Sequence, residues 1–237
     1  MMSNLNQYKQ EIGELLPHWT PRQLPQKNNL KGKYCLLEPY SADRHAHDLY
    51  KAYSHAEDDR DWTWLPIGPF KDFYDYFQQA KSFEKSHDPI HYAIIDSITK
   101  QAIGSIALMR IDPINGTVEM GFVLYSPLLK KTRIATEAQF LLMQYVFDEL
   151  GYRRYEWKCD SLNTPSRKAA LRLGFTYEGT FRKAVVYKGR SRDTDWFSLI
   201  DTEWPNIKTQ LQTWLSSKNF DETGQQILSI EQIRNAL

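Results

Sequence analysis

Val118-Glu-Met-Gly-Phe-Val-Leu-Tyr125, followed by Lys130-Lys-Thr-Arg-Ile-Ala-Thr-Glu137, decides the fold of this chain. The first run alternates as a strand does. Val118, Met120, Phe122 and Leu124 fall on one face, and Glu119, Gly121, Val123 and Tyr125 on the other. The second run is a basic turn from which a helix opens. Its apolar stripe is Ala138, Leu141, Leu142, Tyr145, Val146 and Leu150, with Gly151 as a stop. A helix start exposes unpaired N–H groups and the positive end of its dipole. Lys130, Lys131 and Arg133 add charge at the same place. This layout suits a bound diphosphate. Taken alone, a solvated basic turn explains the same residues.

Downstream, residues 154–161 alternate Tyr155, Trp157 and Cys159 against Glu156, Lys158 and Asp160. Asn163 or Thr164 is placed to cap a helix with Pro165 at its first position, ending at Gly174. Strands follow over about 175–187 and 192–201, then a helix from Trp204 to about Leu215 and another within 222–235. Upstream, Lys33 to Pro39 reads as a strand, and Ser41 or Asp43 opens a helix to about Ser54. Phe70 to Lys85 reads as a second helix. Strands are expected at 91–96 and 102–111, with Asn115-Gly116 turning a hairpin into the strand at 118. Residues 1–29, with Pro17, Pro21 and Pro25 after a short helix at 5–16, read as an arm. The expected architecture is α+β, one twisted, mostly antiparallel mixed sheet flanked by helices. The expected parts are an arm (1–29), a main domain (30–204) and a C-terminal helical extension (205–237).

A chain of 237 residues can bury one substantial core. The net charge of +1 gives no global pull toward nucleic acid or membrane. Aromatics at 14 % argue for a folded protein. No apolar run approaches the roughly 20 residues that span a bilayer, and the start shows no basic-then-apolar leader. Cys35 and Cys159 sit in strand-like runs and suit reduced, buried thiols, so a cytoplasmic protein is expected. The histidines show no ligand spacing, and no metal is expected.

Arg133-Ile-Ala-Thr-Glu-Ala138, Asn163-Thr-Pro-Ser166 and Arg172-Leu-Gly-Phe-Thr-Tyr-Glu-Gly179 together resemble the GCN5-related N-acetyltransferase (GNAT) superfamily. Within it the chain is most similar to the branch that acetylates ribosomal-protein N-termini. As an order of elements the resemblance covers roughly residues 33–202, and it is specific in 118–182. It implies acetyl-CoA as acyl donor and direct transfer to a primary amine, either a protein or peptide N-terminus or a cationic small molecule. It implies that the diphosphate sits on N–H groups of 131–136, that is Lys131, Thr132, Arg133, Ile134, Ala135 and Thr136, with Lys130, Lys131 and Arg133 as countercharge. It also implies that the pantetheine arm runs along Phe122, Val123 and Leu124 and meets Asn163. The family's loop carries a glycine where this chain has Arg133, so Arg133 must keep a negative φ with its side chain swung outward.

Transfer to an amine needs a base, an oxyanion donor and a departing thiolate. Glu119 is the candidate base, the Val123 N–H the oxyanion donor, and Ser166 the hydroxyl that the resemblance sets beside the thiolate. The plainer readings are a strand glutamate paired with a lysine and a serine that only caps a helix. For the acceptor, Glu57, Asp58, Asp59 and Asp61 beside Trp62 and Trp64 suit a cation. An ordinary solvated acidic loop is the simpler account of them. The basic run from Arg182 to Arg192 is read most simply as a charged hairpin offset by Asp193 and Asp195, with a nucleic-acid or ribosome contact as the alternative. A non-catalytic CoA- or partner-binding module on the same fold, and transfer of a longer acyl group, stay open as alternatives. A monomer or a homodimer fits the sequence equally.

Overall fold

The computed structural model describes residues 4–237. A small hairpin, β1 (Asn4–Leu5) with β2 (Glu11–Ile12), stands where a helix over 5–16 was expected. Asn6 is the reason. Its side-chain oxygen accepts from the N–H groups of Tyr8 and Gln10 at 2.9 and 3.1 Å, offering the backbone a turn instead of a helix. Lys9, at φ 63, completes that turn.

The main sheet has eight strands. They are β3 (Leu30–Lys31), β4 (Cys35–Pro39), β5 (Ile90–Asp96), β6 (Ala102–Asp112), β7 (Thr117–Tyr125), β8 (Arg154–Asp160), β9 (Thr176–Tyr187) and β10 (Arg190–Ile200), in spatial order β3-β4-β5-β6-β7-β8-β10-β9. Every neighbouring pair is antiparallel except β7 and β8, which run parallel. The crossover between those two carries α3 (Arg133–Gln144), continued by a π-helical turn over Tyr145–Glu149.

Period-two alternation divides the core between the two faces of the sheet. On β5, Ile90, Tyr92 and Ile94 join the larger core, while Ala93 and Ile95 join the smaller. The smaller core is roofed by α1 (Ala42–Tyr53) and α2 (Phe73–Lys85). The larger is covered by α3, α4 (Thr164–Leu173), α5 (Trp204–Leu215) and α6 (Ile230–Ala236). Asp72 caps α2, so that helix begins at Phe73 and not at Phe70. Residues 19–27 are tied to the domain by Trp19 Nε1 to Ile114 O and by Gln26 N to Tyr145 Oη, at 2.9 and 2.7 Å.

The alternation expected for 118–125 breaks at Phe122. Its φ of 47 marks a bulge, and the pairing with β6 steps from Ala107↔Gly121 to Ser105↔Leu124. One residue is left over on β7, so the faces exchange. Val118 and Met120 enter the larger core and Val123 packs against it, whereas Leu124 enters the smaller one. Phe122 turns to His91 and Phe83, at centroid distances of 5.1 and 6.0 Å.

The Leu-Gly-Phe signature is a helix stop. Gly174 ends α4 at φ 100, a conformation that a side chain strains. A Cβ there would also lie 2.5 Å from Ile207 Cδ1. Phe175 then folds back against Trp157, at 5.5 Å.

Candidate active site

β7 and β8 pair from Thr117↔Arg154 to Met120↔Trp157 and no further. Beyond that point they diverge, and the bulge removes Phe122 and Val123 from the β6 ladder as well. Residues 122–123 therefore have no register partner on β8 and fall outside the regular β6 ladder. The gap opens into a cleft of about 1840 Å³.

The cleft gathers most of the expected residues. Glu119, Phe122, Val123, Leu124, Lys130, Lys131, Thr132, Arg133, Ala135, Thr136, Asn163 and Ser166 all line it. Ile134 does not, because its side chain packs against the larger core and leaves only its N–H at the helix start. The N–H groups over 131–136 are not all free. Thr132 caps α3, its Oγ1 accepting from Ala135 N at 3.3 Å, and Thr132 N donates to Leu129 O. Arg133 and Ile134, in the first turn of the helix, have no intrahelical acceptor. Lys131 takes the positive φ (61), and Arg133 begins the helix with an ordinary negative one.

Glu119 is 5 % exposed. Its Oε2 lies 2.9 Å from Lys158 Nζ and 3.1 Å from Arg110 Nε. Burial raises its pKa above the ordinary glutamate value, outweighing the pull of those two cations. Lys158 also meets Glu156 at 2.7 Å and lies 3.7 Å from the Trp196 ring centroid. Lys158 was not anticipated. Alternation set it opposite the inward Tyr155, Trp157 and Cys159, and that opposite side is the cleft and not solvent.

Asn163 caps α4, accepting from Ser166 N at 3.2 Å. Ser166 Oγ accepts from Trp157 Nε1 at 2.9 Å, which fixes the oxygen and leaves its own O–H to donate elsewhere. Cys159 lines the cleft too, and burial pushes its thiol up, as suits a core thiol rather than an activated one. Both cysteines are free.

The acidic loop is less open to a cation than its composition suggests. Asp58 caps a 3₁₀ turn and pairs with Arg60 at 2.6 Å. Asp61 pairs with Lys130 across the mouth of the cleft. Trp62 packs edge-on to Tyr53 and Phe70, as a core residue does. Asp61 and Trp64 remain as lining groups. The β9–β10 hairpin closes the other side, with Lys188 Nζ donating to Trp62 O at 2.7 Å. The C-terminal residues Trp214, Phe220 and Gln226 wall the far end.

Residues 35–176 match the acetyltransferase (GNAT) domain family. The fold is shared with a crystal structure of a GCN5-related N-acetyltransferase from Brucella melitensis. That chain is 47 % identical with a TM-score of 0.91, over 93 % of this chain and 100 % of that one. An uncharacterized N-acetyltransferase of Bacillus licheniformis is 33 % identical over 144 residues, 60 % of this chain and 80 % of its own length. The ribosomal-protein-serine acetyltransferase of Escherichia coli is 32 % identical over 104 residues, 44 % of this chain and 58 % of its own length. With a splayed strand pair opening onto a helix start, and a family match that spans both, this chain belongs to the GNAT family and is an acyl-CoA-dependent acetyltransferase.

Proposed function

We propose that the protein moves an acetyl group from acetyl-CoA to a primary amine by direct transfer. The observation that carries this reading is the backbone at Phe122–Val123, outside the regular ladders, set where β7 leaves β8 and facing the start of α3. A pantetheine arm is peptide-like and pairs with such an edge as a strand would. The diphosphate then falls on the N–H groups of Arg133 and Ile134, with Lys131 beside it.

Glu119 takes a proton from the acceptor ammonium, and the neutral amine then attacks the thioester carbonyl. Its raised pKa makes it a stronger base than an exposed glutamate, and Lys158 and Arg110 hold the carboxylate in place. The Val123 N–H donates to the developing oxyanion. Ser166, its oxygen held by the Trp157 indole, donates to the departing thiolate. The acceptor enters between the 57–66 loop and the β9–β10 hairpin. A protein N-terminus is the favoured acceptor class, on the similarity to the ribosomal-protein-serine acetyltransferase.

The test is ligand-linked melting followed by turnover. A ligand at 100 times its Kd stabilises the native state by about 2.7 kcal/mol. For a chain of this size that raises Tm by roughly 5–10 °C. Acetyl-CoA is expected to give such a shift, and a panel of peptides and amines to give thiol release with at least one. No shift at millimolar acetyl-CoA overturns the donor assignment. A shift with no release across the panel favours a binding module.

A further inference from the structure

The cleft carries four cations without an acidic partner among the described residues. Lys131, Arg133, Lys168 and Arg172 all line it. Among the described residues no carboxylate lies within ion-pair distance of any of the four. Elsewhere in the same cleft, Lys130, Lys158 and Arg110 each have an acidic partner. A concentration of unpaired positive charge in a concave site calls for an anionic ligand.

Arg133 is the most constrained of the four. Its guanidinium lies 4.5 Å from the Tyr34 ring centroid and 5.4 Å from that of Phe220. Both rings are anchored. Tyr34 donates from its hydroxyl to Leu215 O at 3.1 Å and from its backbone to Glu137 at 2.7 Å. Phe220 meets the Trp214 ring edge-on at 5.1 Å, and Trp214 Nε1 donates to Gln226 at 2.8 Å. Tyr34, Trp214 and Phe220 all lie outside residues 35–176, the part that matches the family. The clamp thus belongs to this chain's own flanking segments. It carries the charge outward from the helix start, toward the wall built by the C-terminal segment. A flexible arginine loses conformational freedom when it grips a ligand, and one already held loses less.

We propose that clamped Arg133 binds the phosphate on the adenosine ribose of the donor, one anionic group beyond the diphosphate. Phe220 is its positioning residue, and Lys168 and Arg172 share the charge. The inference rests on the assignment of a CoA donor above. It gives the 214–231 segment a function, that of setting nucleotide specificity. It also accounts for the family glycine being replaced here by arginine. The backbone N–H at 133 still faces the diphosphate, and the side chain that a glycine lacks adds a fixed guanidinium, which forms charge-assisted hydrogen bonds to the further phosphate.

The test is titration calorimetry of the full-length protein with CoA and with 3′-dephospho-CoA. The wild type is expected to bind CoA at least about tenfold more tightly, the contribution of one charge-assisted hydrogen bond. Arg133→Gln, on a half-exposed side chain, is expected to reduce that ratio to about twofold or less by the same bookkeeping. Phe220→Leu, which keeps apolar packing on Trp214, is expected to do the same, and Phe220→Tyr, which keeps the ring, to retain the ratio. A merely structural role for Phe220 would weaken both ligands equally and leave the ratio unchanged. That result overturns the clamp, as does a wild type that binds CoA but does not discriminate. A wild type that binds neither ligand overturns the donor assignment along with it.

Discussion

Glu119→Gln is expected to lower kcat by about 10²- to 10⁴-fold, the usual contribution of a positioned base. The dissociation constant for CoA is expected to change by less than about twofold, because the replacement removes charge and not volume. Glutamine fits the same space but does not accept a proton. Lys158 keeps Glu156 as a partner at 2.7 Å, so the replacement does not strand an unpaired buried cation. The pH profile gives the second readout. Burial holds the Glu119 pKa above the ordinary glutamate value. Wild-type kcat/KM therefore falls as pH drops through that raised value, since the protonated acid no longer accepts the amine's proton. In the glutamine variant this acid limb is expected to vanish. A variant with wild-type turnover removes Glu119 from the mechanism and leaves it a strand glutamate paired with a lysine.

The largest expected loss of stability comes from Glu137→Ala. Glu137 is 4 % exposed and accepts three backbone N–H bonds, from Lys33, Tyr34 and Cys35, at 2.8, 2.7 and 2.7 Å. It fixes the turn into β4 from the first turns of α3, so it ties the sheet edge to the helix that frames the cleft. A Cβ at Gly32 would lie 2.4 Å from its Oε2, so the turn approaches the carboxylate as closely as a glycine allows. Alanine leaves all three donors without an acceptor, at about 1–3 kcal/mol for each that water does not reach. A net loss of about 3–5 kcal/mol corresponds to a fall in Tm of roughly 10 °C or more. Thermal melting checks it, with Glu137→Gln expected between the two because its carbonyl keeps one acceptor. An alanine variant melting within about 2 °C of wild type would show that the turn finds water or another partner instead.

Glu137 also shows how far the residues alone could be read. Its role is long-range and depends on a turn about a hundred residues away, which no local pattern around 137 encodes. Local features were legible. The cap at Asn163, the stop at Gly174 and the helix from Trp204 each follow from short-range chemistry, and each is present. The antiparallel run β4-β5-β6-β7 follows the sequence of elements, whereas the parallel pairing of β7 with β8 and the place of β10 between β8 and β9 do not.

What escaped reading is non-local or depends on an irregularity. A bulge at Phe122 inverts the faces of Val123 and Leu124, and no residue type announces it, because a phenylalanine at φ 47 is an unusual occupant. Alternation placed Lys158 opposite Tyr155, Trp157 and Cys159 without showing that this side of β8 is a cleft wall. Trp62, expected as a cation platform, is half-buried and packs against the smaller core beside Tyr53. The short helix expected over 5–16 lost to the side-chain turn at Asn6. The clamp on Arg133 joins residues 34, 133 and 220, which no spacing rule connects.

A crystal structure of the protein with CoA tests the central claim most directly. The claim requires density for the pantetheine arm beside the backbone of Phe122 and Val123, with the diphosphate against the N–H groups of Arg133 and Ile134. Density that leaves the opening between β7 and β8 empty, with the nucleotide bound elsewhere on the molecule, contradicts it.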